Sequence, residues 1–206
     1  MNEILKGIQL TITYLFMNAD GVCREEELKN YKELCDGLNA SDRMKKEIED
    51  YAKTIPISDG DNSKIIISAI DNILGFSEYE NECSHTCDVN VGGAVSGCFS
   101  NYFNDDKVFQ ARLIWTLINM GYADREYSRP EQKIIEHIVR LWNFDITLFD
   151  EMIDTADTAL AIVGRKQWQM KNASLSKKCT DGDDEYANDI EKLYQNINIS
   201  IENANL

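Results

Sequence analysis

"MNADGVCREEE", residues 17–27, closes one apolar helical stretch and opens another, and "GYADREYSRPE", residues 121–131, does the same much further along the chain. Both copies carry Ala-Asp, and both place a Glu seven positions after that Asp: Asp20 with Glu27, then Asp124 with Glu131. The flanks are periodic. Ile4, Leu5, Ile8, Ile12, Leu15 and Phe16 precede the first corner at helical spacing, and Leu28, Tyr31, Leu34, Cys35 and Leu38 follow it on one face. After the second corner, Ile138, Trp142 and Asn143 stand where Leu34, Leu38 and Asn39 stand after the first. The likeness therefore extends beyond the motif, and the chain reads as two helix–corner–helix units.

The remaining segments fit the same class. "SDRMKKEIEDYAKTI" reads as a helix capped by Asn39 or Ser41 and stopped by Pro56. "NSKIIISAIDNILGF" places Ile65, Ile66, Ala69, Ile70, Ile73 and Leu74 on a helical stripe, with Gly75 near its end. Its β-branched run invites a strand, but length and spacing favour helix. Helix resumes at "DKVFQARLIWTLINMGYAD", continues in "RPEQKIIEHIVRLWNF", and returns in "DITLFDEMIDTADTALAIVGRKQW" with a stripe of Leu148, Met152, Ala156, Leu160 and Val163. Residues 77–104 are an irregular insertion of small residues, glycines and cysteines, with a short helix expected around Ala94–Tyr102. The expected domains are a helical domain over 1–165 and, over 166–206, a polar linker with a terminal helix carrying Ile190, Leu193, Ile197 and Ile201.

Composition narrows the function classes. A net charge of −15 over 206 residues argues against nucleic acid, which requires a clustered basic surface. A cationic partner or a metal ion suits it better. No apolar run approaches the ~20 residues a membrane-spanning helix needs. The N-terminal stretch lacks a basic n-region, since Glu3 sits there, and Gln9, Thr11 and Thr13 interrupt its apolar centre, so it reads as a core helix. A cytoplasmic location follows by default. Six cysteines in a chain of this length do not make a disulfide scaffold, and Cys35, on an apolar face, reads as inert packing.

Elementary chemistry gives the corners two roles. As architecture, an Asp past a helix end accepts backbone N–H groups of the turn, and Gly21 adopts the left-handed conformation that ends a helix. "SRPE" at 128–131 is a capping box: Pro130 sits in the first turn and Glu131 reaches back to the Ser128 N–H. As a site, an Asp before the turn and a Glu one turn into the next helix converge on a shared point. Two hard carboxylates there suit Ca²⁺ or Mg²⁺, completed by carbonyls and water. Paired about a pseudo-twofold axis, Asp20, Glu27, Asp124 and Glu131 would line one acidic face.

This duplicated corner resembles the TerB-like family associated with tellurite resistance. Residues 1–40 and 106–150 carry the resemblance; 77–104 and the stretch from 165 onward have no counterpart in it. The first corner keeps Ala19-Asp20-Gly21 but has Cys23-Arg24 where the family favours an apolar residue and Ser, whereas the second keeps Ser128 and Glu131 but replaces Gly with Arg125. The resemblance implies an all-α bundle of two helix–corner–helix halves and a non-enzymatic, stress-associated module. It also implies metal binding at Asp20, Glu27, Asp124 and Glu131. The alternative is a metal-free protein–protein interaction domain with an unidentified protein partner, in which the corners are caps.

Other motifs carry less. Cys83, His85, Cys87 and Cys98 offer four soft ligands for zinc, at spacings that match no standard zinc module. "DGDNS" at 59–63 and "DGDDE" at 181–185 lack the Gly and Glu of a calcium loop and read as solvated turns, the first introducing a helix. His85 and His137 are the only histidines, and no nucleophile–base arrangement follows from spacing, so no enzyme is expected.

Overall fold

The computed structural model describes residues 2–76, 106–123, 125, 127–173 and 183–204. They form α1 (Glu3–Phe16), α2 (Glu25–Gly37), α3 (Asp42–Ala52), α4 (Ser63–Leu74), α5 (Lys107–Gly121), α6 (Arg129–Leu141), α7 (Ile146–Ala173) and α8 (Asp183–Asn203). No strand occurs among the described residues, so the fold is all-α. None of their helices is long and apolar enough to cross a membrane. The insertion expected at 77–104, its short helix and its cysteine cluster lie outside the described residues.

The helix ends follow from their caps. Asn2 accepts the Ile4 N–H, Ser41 that of Met44, and Asp106 that of Phe109, so each satisfies a donor that the first turn leaves orphaned. Gly75, at φ 76°, ends α4 in the left-handed conformation. α7 runs further than the apolar stripe alone predicts, because Lys171, Asn172 and Ala173 include no breaker.

The chain divides into two compact units, Met1–Asn143 and Phe144–Leu206. In the first, α1 packs against α2, α3, α4 and α5, and α6 against α4 and α5. Leu10, Ile12, Leu15 and Phe16 of α1 are fully buried, as are Ile66 and Ile70 of α4, Leu113, Ile114 and Leu117 of α5, and Ile134, Ile135 and Ile138 of α6. Each such side chain contributes about 1.5–3 kcal/mol on burial. The β-branched run of α4 thus serves as core: Ile66, Ala69, Ile70 and Leu74 face inward, and Ile65 is exposed. In the second unit α7 packs against α8, burying Leu148, Met152 and Ala156 on α7 and Ile197 and Ile201 on α8.

The internal repeat is deeper than its sequence signal. At the offset that separates Asp20 from Asp124, the bounds of α1 align in sequence register with those of α5, α2 with α6, and α3 with the start of α7. The irregular backbone repeats with them. Ala19 N donates to Phe16 O at 2.9 Å and Ala123 N to Met120 O at 3.0 Å; Gly21 N to Asn18 O and Arg125 N to Tyr122 O are both 3.2 Å. Asn39 and Asn143 share a left-handed φ, 52° and 44°, as do Gly21 and Arg125, 81° and 71°. Even the third cap repeats: Met44 N donates to Ser41 Oγ, and Leu148 N to Asp145 Oδ1.

Candidate functional site

α1 and α5 carry the two corners, and their contacts fix the relation between them. Gln9 Nε2 donates to Thr116 Oγ1 at 3.0 Å near the middle, and the Phe16 ring lies against Gly121 at the C-terminal ends. Low numbers meet low and high meet high, so the helices run parallel. Both corners therefore sit at the same end of the first unit.

At the first corner, Asp20 Oδ1 accepts Val22 N at 2.9 Å, closing a turn of the Asx kind, and its Oδ2 pairs with Arg24 Nη1 at 2.9 Å. Glu27, only 2% exposed, accepts the Arg24 N–H through Oε2 at 2.7 Å. Both carboxylates engage Arg24, but at different groups: Asp20 takes its guanidinium and Glu27 its backbone N–H. Arg24 has no acceptor to offer the α2 N-terminus in return, so the cap here is one-sided and Glu27 carries it.

The second corner completes what the first leaves half-made. Glu131 Oε2 accepts Ser128 N at 2.6 Å, Ser128 Oγ accepts Glu131 N at 3.4 Å, and Pro130 occupies the first turn. Glu131 is 5% exposed. Asp124 lies outside the described residues. The two copies also exchange bulk: Met17 and Cys23 in the first correspond to Gly121 and Tyr127 in the second. There the Tyr127 ring sits so close to Gly121 that a Cβ would meet it at 2.7 Å. Arg125 occupies the left-handed seat that Gly21 fills without steric penalty.

One partner of the first corner was illegible in the sequence. The 58–62 turn, which overlaps the "DGDNS" stretch at 59–63 expected as a solvated turn, instead clamps the corner. Asn62 is 1% exposed; its N–H donates to Ala19 O at 2.8 Å. Its Nδ2 lies 3.2 Å from Asn18 O, 2.7 Å from Ser58 O and 3.0 Å from Gly60 O, while Oδ1 accepts Ser58 N at 3.0 Å. Gly21 is what lets this turn approach, since a Cβ there would lie 2.5 Å from Gly60 N and 2.7 Å from Ser58 O. Asp61 caps α4 through Ser63 N at 2.9 Å and reaches Lys133 Nζ at 2.6 Å, tying the turn to α6. Alternation of Asp, Gly and Asn gives no hint of a contact with residues 18–21, which is purely tertiary.

Charge and burial quiet the remaining chemistry here. Burial first, then the negative charges of Glu27 and Asp20, push the Cys23 thiol up to about 11. Burial likewise raises the Cys35 thiol, as expected of packing. His137 Nε2 meets Asp71 Oδ1 at 2.7 Å, cross-linking α6 to α4. That pairing is also invisible to spacing. Among the described residues, no three His, Cys, Asp or Glu side chains converge as metal ligands. Cys83, His85, Cys87 and Cys98 lie outside them. Comparison of the chain with protein-family models, curated proteins and solved structures finds no match.

Proposed function

We propose that this chain is a non-enzymatic, TerB-like helical module that acts through protein–protein interaction, with its duplicated acidic corners serving as architecture. The observation that carries the proposal is the engagement of the first-corner carboxylates. Asp20 pairs with the Arg24 guanidinium and Glu27 accepts the Arg24 backbone N–H, so each carboxylate is already engaged by a donor of the chain itself. A buried carboxylate bonded to a backbone N–H stabilises the helix start, and withdrawing it for a metal would leave that donor orphaned. Glu131 is committed in the same way to Ser128. The pairing of His137 with Asp71 supports a structural role for that ring, and the net charge of −15 supports a basic partner. The stress-associated setting comes from the resemblance of the corners to the TerB-like family.

The test is calorimetric titration of chelator-treated protein with Ca²⁺ and then Mg²⁺, repeated on the Asp20→Asn plus Glu27→Gln variant. The expected result is no saturable heat in either protein, with the variant less stable by about 0.5–2 kcal/mol for the weakened cap. Saturable heat in the wild type that disappears in the variant overturns the proposal and returns the corner to metal binding.

A further inference from the structure

Within the first unit, α3 and α4 each pack on α1 and hardly on one another, and a groove lies between them. Tyr51 and Ile55 form one wall, and Lys64, Ile65, Ala69 and Asn72 the other. Ala69 is buried, Tyr51 and Ile55 are half-buried, and Ile65 is 37% exposed. The sign of the groove sets it apart from the rest of the chain. The net charge is −15, yet no carboxylate lines this groove, and among the described residues none pairs with the exposed Lys64. Asp50, Asp61 and Asp71, which flank the groove residues in sequence, are engaged elsewhere: with Lys53 at 2.9 Å, Lys133 at 2.6 Å and His137 at 2.7 Å.

Exposed apolar side chains beside an unmatched ammonium call for a complement that brings both apolar contact and a carboxylate. The internal repeat indicates the form of that complement. At its offset Tyr51 falls on Thr155, in the stretch of α7 that aligns in sequence register with α3. Thr155 is 9% exposed and shares a groove with Leu193 of α8, so a further helix lies along that side of α7. Tyr51, larger and more apolar, keeps the matching side of α3 open. α8 itself joins the apolar stripe of Ile190, Leu193, Ile197 and Ile201 to the carboxylates of Asp189, Glu191 and Glu202. From Lys64 to Asn72 the groove runs about 12 Å along α4, room for about two helical turns.

We propose that the α3–α4 groove docks an acidic amphipathic helix of a partner protein. Leu or Ile side chains of that helix lie against Tyr51, Ile55 and Ile65, and a Glu or Asp beside them meets Lys64. The proposal rests on reading the chain as an interaction module and names the partner of one surface. That surface is opposite in sign to the acidic remainder, so a general attraction of basic molecules to the chain does not account for it.

The test uses the full chain and a fluorescently labelled helical peptide of about 18 residues, with Leu at helical spacing and Glu beside it, followed by anisotropy at physiological salt. Saturable binding is expected. Ile65→Ser and Lys64→Glu should each weaken it at least fivefold, and a peptide carrying Lys in place of Glu should regain binding to the Lys64→Glu variant. Lys32→Glu, the same charge change on an exposed position of α2, should weaken it less than twofold. Both groove positions are exposed, and a Glu in the first turn of α4 suits the helix dipole, so neither variant should lower the melting temperature. Photo-crosslinking from benzoylphenylalanine in place of Ile65 identifies the occupant, and capture of the peptide supports the proposal. No binding by the wild type, or equal weakening by Lys32→Glu and Lys64→Glu, overturns it. Cross-linked dimers of the chain, or a cross-link to residues 77–104 of the same chain that persists with peptide in excess, also overturn it, giving the groove to a second copy or to that segment. Loss of this docking leaves the corner reading standing, since that reading falls only to saturable metal binding at Asp20 and Glu27.

Discussion

The clamp between the first corner and the 58–62 turn predicts a specific non-additivity. Asn62→Ala removes one buried side chain that serves three carbonyls and one N–H: Asn18 O, Ser58 O, Gly60 O and Ser58 N. The backbone bond from Asn62 N to Ala19 O survives. At about 1 kcal/mol net for each bond lost, and with part of the turn regaining water, the expected cost is about 2–4 kcal/mol. Gly21→Ala attacks the same contact from the other side. A Cβ at φ 81° would meet the backbone of Gly60 and Ser58 at 2.5 and 2.7 Å, so the turn must lift, and the left-handed conformation itself costs about 1–2 kcal/mol. Each substitution alone frees the turn. Once it is free, the second can add only its local part, so the double variant should be less destabilised than the sum of the singles by about 1–2 kcal/mol. Urea denaturation of the wild type, both singles and the double, at constant m, measures this coupling directly. Asn62→Asp sharpens it: an anion facing three carbonyl oxygens should cost more than alanine. Strict additivity, or an Asn62→Asp variant as stable as Asn62→Ala, would refute the clamp.

Three further outcomes are expected. Asp61 is held well below the usual carboxylate range, first by the Lys133 ammonium and then by the Ser63 hydroxyl and N–H. Because its folded value is depressed, the stability it contributes is present above about pH 4 and is lost as pH falls through the folded value. Asp61→Ala should therefore lose about 1 kcal/mol of α4 capping at pH 7 and show a shallower acid limb in a pH series of urea midpoints; an unchanged limb would remove Asp61 from the network. Ser128→Ala should cost about 1 kcal/mol by deleting the acceptor for Glu131 N, measured by thermal unfolding, and a neutral result would mean that Glu131 alone carries the cap. Cys23, pushed up to about 11, should alkylate with iodoacetamide far more slowly at pH 7.5 than glutathione does and accelerate steadily as pH rises, followed by peptide mass spectrometry. Fast labelling at neutral pH would contradict the burial that raises it.

Much of this was written locally. Caps, breakers and helical stripes depend on neighbours a few residues apart, so Ser41, Gly75, Pro130 and the pair of Ser128 with Glu131 could be read from the sequence, as could the buried stripe of Leu148, Met152 and Ala156. The repeat was legible through Asn39 and Asn143, since a left-handed residue after a helix has a strong side-chain preference. Its further extent was not, because Ser41 and Asp145, or Gly21 and Arg125, perform one backbone task with unlike side chains.

What the sequence by itself determined is the helical class, the two corners and the carboxylates available at them. What only the tertiary structure decided is how those groups are used. Asp20 and Glu27 both engage Arg24, because the turn brings its guanidinium to the first and its backbone N–H to the second. The 58–62 turn meets the corner because α1 and α4 pack side by side and Gly21 leaves room for it. His137 finds Asp71, and Lys133 finds Asp61, across helices far apart in the chain. Such contacts are set by packing of the apolar faces, which fixes where each helix sits; the polar partners are consequences of that placement and leave no spacing for the sequence to display.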